Sequence, residues 1–176
     1  IRTRKEKVTG KVWSPAIGFF PRDFEYSSGI INSGVKFRQL YGKFEVKIRF
    51  NLNNPVNHAV WMISELMLPH INIAKADKKI RVGNYWGNPN VKGGVDKKSA
   101  SMSRDRYGTD FQIFTLEWTK DKLIWKINGV TIRVANQGVP QIPMFINISS
   151  SLYQDVNGSV LPATVDVDWI RCYQTV

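Results

Sequence analysis

The segment Leu123-Ile124-Trp125-Lys126-Ile127-Asn128-Gly129-Val130-Thr131-Ile132-Arg133 decides the fold class of this chain. Two runs rich in β-branched and aromatic residues flank the dipeptide Asn128-Gly129. Asparagine and glycine both tolerate the positive φ angles that a two-residue hairpin turn requires. The segment therefore predicts two antiparallel strands joined by a tight turn.

Runs of the same character recur along the chain at spacings interrupted by turn residues. They cover residues 29–32, 43–50, 59–63, 80–84, 111–118, 122–128, 130–134, 144–149 and 163–173. No window of a dozen residues has a good helical stripe, and the nearest, 71–80, is short and rich in lysine. The pattern predicts an all-β fold, with a two-sheet sandwich or jelly roll favoured over a closed barrel.

The chain of 176 residues can bury one sizeable core, so we expect a single domain over residues 1–176. The abrupt opening at Ile1 leaves open whether an N-terminal outer strand is lacking. The segment 88–109 is rich in Gly, Ser, Lys and Arg and is predicted to be a long loop. We expect Trp118, Trp125 and Trp169 to pack in the core.

The formal net charge of +11 favours acidic partners such as a sulfated or carboxylated polysaccharide, nucleic acid or an anionic membrane surface, although a solvated surface is the simpler explanation. Charge alone supports nucleic-acid binding, with no recognised motif, so we do not expect it. The single Cys172 excludes an internal disulfide, and two histidines with one thiol argue against a zinc site. No apolar run approaches the length of about 20 residues that spans a bilayer.

Five blocks, taken in order, resemble the family-sixteen glycoside hydrolases, which include laminarinases, lichenases and agarases. They are Tyr26-Ser27-Ser28-Gly29-Ile30-Ile31, Tyr41-Gly42-Lys43-Phe44-Glu45-Val46-Lys47, Ala59-Val60-Trp61-Met62, the segment 110–119, and Val165-Asp166-Val167-Asp168-Trp169-Ile170-Arg171-Cys172-Tyr173. The resemblance covers most of the chain. It implies a concanavalin-like jelly roll of two curved antiparallel sheets with a glycan cleft on the concave face.

In this family a cleft strand carries Glu-x-Asp-x-x-Glu, with a nucleophile, an assisting Asp and an acid/base. A retaining glycosidase needs two carboxyl groups about 5 Å apart, and a bulge lets the third position return to the face of the first two. The matching positions here are His70, Asn72 and Lys75. The resemblance thus implies a degenerate catalytic motif. Shifting the alignment recruits Glu65 or Asp77, but neither has a second carboxylate at strand spacing.

The resemblance also implies other cleft residues. Glu45 and Lys47 match positions on a neighbouring cleft strand, and Asn84 and Trp86 match an Asn-x-aromatic pair. The predicted glycan-binding set is Glu45, Lys47, Trp61, His70, Asn72, Lys75, Asn84 and Trp86. Seven basic residues are candidates for the rim of a cleft that takes an anionic glycan, namely Lys78, Lys79, Arg81, Lys97, Lys98, Arg104 and Arg106.

Three functions follow as hypotheses. The first is a non-catalytic module that binds a β-glucan or an acidic glycan, and the second is an active endo-acting β-glycan hydrolase with a displaced acid pair. The third is a scaffold that binds a protein partner in a cell-surface assembly. No cofactor is expected, although Asp166 and Asp168 match a region where some family members bind calcium. The resemblance alone implies an extracytoplasmic location.

Overall fold

Two antiparallel sheets form the fold in a computed structural model of the chain, which describes residues 1–50, 56–103, 107, 110–153 and 160–174. These residues form thirteen strands and no α-helix. The strands are β1 (Arg2–Ser14), β2 (Gly18–Ser27), β3 (Ile30–Asn32), β4 (Gly42–Phe50), β5 (Val56–Ile63), β6 (His70–Ala76), β7 (Ile80–Gly87), β8 (Val95–Met102), β9 (Gln112–Trp118), β10 (Leu123–Ile127), β11 (Val130–Ala135), β12 (Phe145–Leu152) and β13 (Ala163–Tyr173). The prediction of an all-β sandwich is confirmed. The described residues contain no helix that is long and apolar enough to cross a membrane.

The seven-stranded sheet has the order β11-β10-β9-β4-β13-β1-β2, and the six-stranded sheet has the order β3-β12-β5-β6-β7-β8. Alternation along each strand turns one set of apolar side chains into the space between the sheets. In β4, for example, Phe44, Val46 and Ile48 are buried while the residues between them face outward. Buried residues of β6 and β7 belong to this core between the two sheets, which fixes the position of both strands against the opposite sheet.

The predicted hairpin is confirmed. Strand β10 pairs with β11 from Leu123 to Ile127, and Asn128 and Gly129 have φ angles of 49° and 82°. Asn128 also donates from its backbone N–H to the carbonyl of Ile113 and accepts from the N–H of Ile113 through its side chain. These bonds join the turn to β9.

Trp118 and Trp125 are fully buried, as predicted, but the prediction for Trp169 is wrong. The register between β13 and β4 shifts between Val167 and Trp169, which places one extra residue in β13. The shift moves Trp169 to the outer face of the seven-stranded sheet, where Arg171 lies 4.3 Å from the centre of its ring. A bulge interrupts the alternation on which the prediction depended.

The loop predicted at 88–109 is wrong over much of its length, because β8 runs from Val95 to Met102 within it. Strand β8 is the edge of the six-stranded sheet, and most of its side chains are exposed. An edge strand with lysines and serines is protected against pairing with other chains, but it lacks the apolar alternation that reveals a strand in the sequence. Residues 88–94 form turns and loop, as predicted, and residues 104–106, 108 and 109 lie outside the described part of the chain.

The sequence analysis found no strand in residues 1–27, where β1 and β2 form a long hairpin. Strand β1 pairs with β13 only at Arg2 and Thr3, whereas its pairing with β2 continues to Ser14. Most side chains of the ribbon beyond Thr3 are exposed or only partly buried. Because neither face of the ribbon packs against the core, its sequence lacks the alternating apolar pattern that would have predicted these strands.

Candidate functional site

Strand β6 carries the three residues that the sequence analysis matched to catalytic positions. Its register shifts by one residue against β5 and again against β7, with the extra residue between Asn72 and Lys75. The bulge returns Lys75 to the face occupied by His70 and Asn72, and all three line one groove on the outer face of the six-stranded sheet. The predicted shared face of these residues is confirmed.

An aromatic part occupies one end of the groove. The imidazole of His70 is stacked on the indole of Trp61, with ring centres 4.9 Å apart and planes within 7°, and Tyr85 meets His70 edge-on at 5.3 Å. The Trp61 indole N–H donates to the Oγ of Ser149 over 3.0 Å, which fixes the orientation of its ring. This part encloses about 540 Å³ and is bordered by Met67, Leu68, Pro89 and Val95.

The surroundings of the His70 ring lower its pKa. Burial lowers its pKa below the ordinary value, a hydrogen bond with Asn72 raises it, and the charge of Lys75 lowers it further. The Nε2 of His70 and the Oδ1 of Asn72 are 2.9 Å apart. Since an amide oxygen only accepts hydrogen bonds, Nε2 is the donor and the tautomer is thereby assigned.

A cationic part, of about 350 Å³, continues the groove from Asn72, Lys75 and Tyr85. Its other lining residues include Asp77, Arg81, Lys97, Ser99 and Tyr153. Asp77 is ion-paired with Arg81. Partial burial opposes ionisation of Asp77, but hydrogen bonds from Arg81 and the Lys79 N–H and the charges of Arg81 and Lys75 prevail, so its pKa is lowered.

The predicted positions of Asn84 and Trp86 in the cleft are wrong. Asn84 is fully buried, and its amide nitrogen donates to the carbonyls of Gln137 and Gly138. The indole of Trp86 packs so tightly on Gly138 that a Cβ there would lie 2.1 Å from a ring atom. Both residues therefore face away from the groove.

Tyr85, between these two residues, lines the groove instead, and the sequence analysis missed it. In the register, Asn72 is opposite Gly83 and His70 is opposite Tyr85, so Gly83 and Tyr85 share the face of the catalytic-motif positions. The alternation of Arg81, Gly83 and Tyr85 was the available signal. Because Gly83 has no side chain, the outward face of β7 shows no polar or aromatic pattern at its centre that would have revealed the role of Tyr85.

The predicted positions of Glu45 and Lys47 beside the cleft are also wrong. Strand β4 belongs to the seven-stranded sheet, and these two residues alternate with buried core residues, so they lie on its outer face. Glu45 pairs with Lys43 at 3.2 Å and Lys47 with Asp168 at 2.7 Å. They are therefore on the opposite side of the sandwich from the groove.

The remaining acidic candidates are engaged elsewhere. Glu65 is mostly exposed and pairs with Arg38 at 2.6 Å, and Asp166 pairs with Arg49 at 2.9 Å. No group of three or more His, Cys, Asp or Glu that could hold a metal occurs within the described ranges. A calcium site at Asp166 and Asp168 stays a prediction.

Two of the seven basic candidates, Arg81 and Lys97, line the groove. Lys98, the next residue in β8, points the other way and donates to Gln137. Lys78 and Lys79 are exposed in the turn between β6 and β7. Arg104 and Arg106 lie outside the described residues.

The family model for glycosyl hydrolases family 16 matches residues 6–171 of this chain. The chain belongs to this family. The resemblance inferred from the five sequence blocks is thereby confirmed.

Two curated relatives of this family-16 chain are known by activity. It is 24% identical over 170 residues to the keratan-sulfate endo-1,4-beta-galactosidase of Sphingobacterium multivorum, and this alignment covers 85% of the chain and 40% of that enzyme. In an alignment of 193 positions it is 23% identical to the glucan endo-1,3-beta-glucosidase A1 of Niallia circulans, and this alignment covers 88% of the chain and 28% of that enzyme. The chain thus spans less than half the length of these relatives.

Solved structures share the fold. The laminarinase catalytic domain of Thermotoga petrophila superposes with a TM-score of 0.73 at 22% identity, covering 98% of the chain and 75% of that domain. The kappa-carrageenase of Pseudoalteromonas carrageenovora, in complex with an oligotetrasaccharide of kappa-carrageenan, gives a TM-score of 0.72 at 19% identity, covering 98% and 78%. At these identities the superpositions establish the jelly-roll fold.

Proposed function

We propose that this family-16 protein binds a glycan in the groove of its six-stranded sheet without hydrolysing it. The observation that carries the proposal is the composition of the groove face of β6, where His70, Asn72 and Lys75 stand together beside Trp61. In this proposal these three residues replace the family's catalytic carboxylates.

The aromatic part suits a sugar. A sugar ring has an apolar C–H face that packs against aromatic side chains, and hydroxyl groups that need a few polar partners. Trp61 and Tyr85 provide aromatic surface, while Asn72 and Ser149 provide polar atoms beside it. A volume of about 540 Å³ is in the range of small-molecule sites.

Hydrolysis has little support from the same residues. Both retaining and inverting glycosidases use a pair of carboxyl groups that flank the scissile bond. Among the described residues that line the two parts of the groove, Asp77 is the one carboxylate, and it is paired with Arg81. Lys75 adds a positive charge where an oxocarbenium-like transition state would need a negative one.

Isothermal titration calorimetry tests binding against laminarin, mixed-linkage β-glucan, keratan sulfate and kappa-carrageenan, and a reducing-sugar assay tests cleavage of the same polymers. We expect binding of at least one polymer and no release of reducing ends. If none of these polymers gives a binding signal in the calorimeter, the proposal is wrong. Release of reducing ends would replace it with the hydrolase described next.

The second candidate is an active endo-acting β-glycan hydrolase, which the family membership and the carboxylate of Asp77 favour. Under this proposal Asp77 supplies one acidic group and the other comes from a displaced position. Reducing-sugar release that disappears in Asp77→Asn but persists in the matched control Glu65→Gln would establish it. Glu65 suits the control because it is exposed and does not line the groove.

An extracytoplasmic location and a protein partner in a surface assembly remain predictions. The first is tested by fractionating cells and locating the protein by immunoblot. The second would be favoured by a partner that still binds Trp61→Ala while the protein shows no affinity for any sugar.

A further inference from the structure

The cationic part of the groove is a hollow of about 350 Å³, and Gly83 lies beside the residues that line it. This residue lies between Asn72 of β6 and Ser99 of β8 in the sheet register, and alternation turns its missing side chain toward the groove. A Cβ at Gly83 would lie 2.4 Å from the carbonyl oxygen of Lys98 and 2.8 Å from the Cα of Ser99. The close approach of β7 and β8 therefore requires glycine here.

Three cationic side chains line this hollow. Lys75 comes from β6, Arg81 from β7 and Lys97 from β8, so each of three adjacent strands contributes one. The register fixes their arrangement, because Lys75 is opposite Arg81 and Tyr85 is opposite Lys97. The charges thus belong to a rigid sheet surface and not to a mobile loop.

One carboxylate cannot balance these three charges. Asp77 is hydrogen-bonded and ion-paired to Arg81. Neither Lys75 nor Lys97 has an ion pair with a carboxylate among the residues that the structure describes, and the Lys75 ammonium lies 5.6 Å from the ring centre of Tyr153. Two positive charges thus line the hollow without a carboxylate partner among the described residues, beside the hydroxyl of Ser99.

We propose that this hollow binds an anionic substituent of the glycan, either a sulfate ester or the carboxylate of a uronic acid. The inference rests on the proposed glycan-binding function and specifies the class of glycan. Asn72, Lys75 and Tyr85 line both parts of the groove, so a sugar packed against the aromatic part carries its substituents directly toward the cationic part. Lys75 and Lys97 donate charge-assisted hydrogen bonds to the anion, and the Arg81 guanidinium adds its charge from the pair with Asp77.

The test compares titrations of three matched oligosaccharides, namely a kappa-carrageenan oligosaccharide, the same oligosaccharide after desulfation, and an oligo-uronide. The variants are Lys97→Gln and the control Lys98→Gln. The two lysines are neighbours in β8 and lose the same charge, but Lys98 faces away from the groove. Because a hydrogen bond to a charged group contributes about 1.5 kcal/mol or more, we expect Lys97→Gln to bind at least one anionic oligosaccharide about tenfold more weakly.

Lys98→Gln is expected to bind like the wild type, and the desulfated oligosaccharide is expected to bind wild type and Lys97→Gln equally. Preference for the sulfated over the uronic oligosaccharide identifies the substituent. The inference is overturned if the desulfated oligosaccharide binds as tightly as both the sulfated oligosaccharide and the oligo-uronide, or if both lysine variants lose affinity alike. In those outcomes the proposed function still stands, whereas the absence of binding by every oligosaccharide and polymer would end both.

Discussion

At the scale of single residues, Trp61 determines the shape of the aromatic part. Its indole is stacked on His70 and fixed by Ser149, so the ring is oriented before any ligand arrives. We predict that Trp61→Ala weakens glycan binding by about fivefold or more, because truncation of a central aromatic contact commonly costs over 1 kcal/mol. Titration calorimetry with the polymer that binds wild type measures the change.

Trp86→Ala is the matched control for that variant. Trp86 lies on the next strand but one and packs on Gly138, away from the groove. This variant should lose stability without losing affinity for the glycan. Equal loss of affinity in both variants would contradict the assignment of the two tryptophans to opposite faces.

His70 gives the site a pH dependence with a definite sign. Its pKa in the folded protein is below the unperturbed 6.5, so the unfolded chain binds the proton more readily. The free energy of unfolding should therefore be fully maintained above pH 6.5 and decrease as the pH falls through the folded pKa of His70. Urea unfolding of wild type and His70→Gln between about pH 5 and pH 8 measures this difference.

An NMR titration of the His70 ring checks the same prediction directly. The ring should titrate below 6.5, and the pH dependence of stability should be smaller in His70→Gln than in wild type. A titration midpoint above 6.5, or identical pH profiles in the two proteins, would show that burial does not dominate the environment of this ring.

At the scale of elements, the bulge in β6 places His70, Asn72 and Lys75 on one face of the sheet. We predict that the triple variant His70→Glu, Asn72→Asp, Lys75→Glu gains weak hydrolytic activity on the glycan that the wild type binds. The bulge would place the two new glutamates and the aspartate on one face, where a glycosidase needs its acid and its nucleophile. A reducing-sugar assay measures the gain.

The control for the gain of activity is the double variant His70→Gln, Lys75→Gln, in which residue 72 stays the native Asn. It carries side chains of similar size without charge, so it should remain inactive. If the acidic variant folds, binds the glycan and still shows no activity above this control, the match of these residues to the family's catalytic positions is wrong.

Most strands with one face in the core were predictable from their pattern, whereas β8 and the β1–β2 ribbon, which lack such a face, were not. Strands β4 and β10 show clear alternation because every second side chain is buried. Strand β8 and most of the β1–β2 ribbon are exposed, so selection on burial leaves no pattern there. The missed strands are therefore those whose stability comes from backbone pairing and not from side-chain burial.

At the scale of the whole molecule, sheet order limited what the sequence could tell about the site. Periodicity indicates that Glu45 and Lys47 share a face, but it cannot indicate which sheet β4 joins, because strand order is set by long-range pairing. Strand β4 pairs with β9 and β13, which are far away in the chain, and this pairing puts it across the sandwich from β6. The local predictions for β6 succeeded because its own bulge determines the geometry.

One hydrogen bond connects the two sheets at the site. The indole N–H of Trp125, in β10, donates across the core to the backbone carbonyl of Asn72 over 2.9 Å. The acceptor lies at the bulge, where pairing with the neighbouring strands is locally disrupted. The opposite sheet thus fixes the backbone from which the amide of Asn72 reaches His70.

We predict that Trp125→Phe lowers the free energy of unfolding by about 1–3 kcal/mol or more, because it leaves a buried carbonyl without its donor and removes core volume. Trp118→Phe is the matched control, since its equally buried indole donates to the carbonyl of Pro140 over 3.1 Å, away from β6. Both variants should lose stability in urea unfolding, but only Trp125→Phe should also weaken glycan binding at a temperature where both are folded. Equal affinity in the two variants would mean that the bulge holds its shape without the opposite sheet.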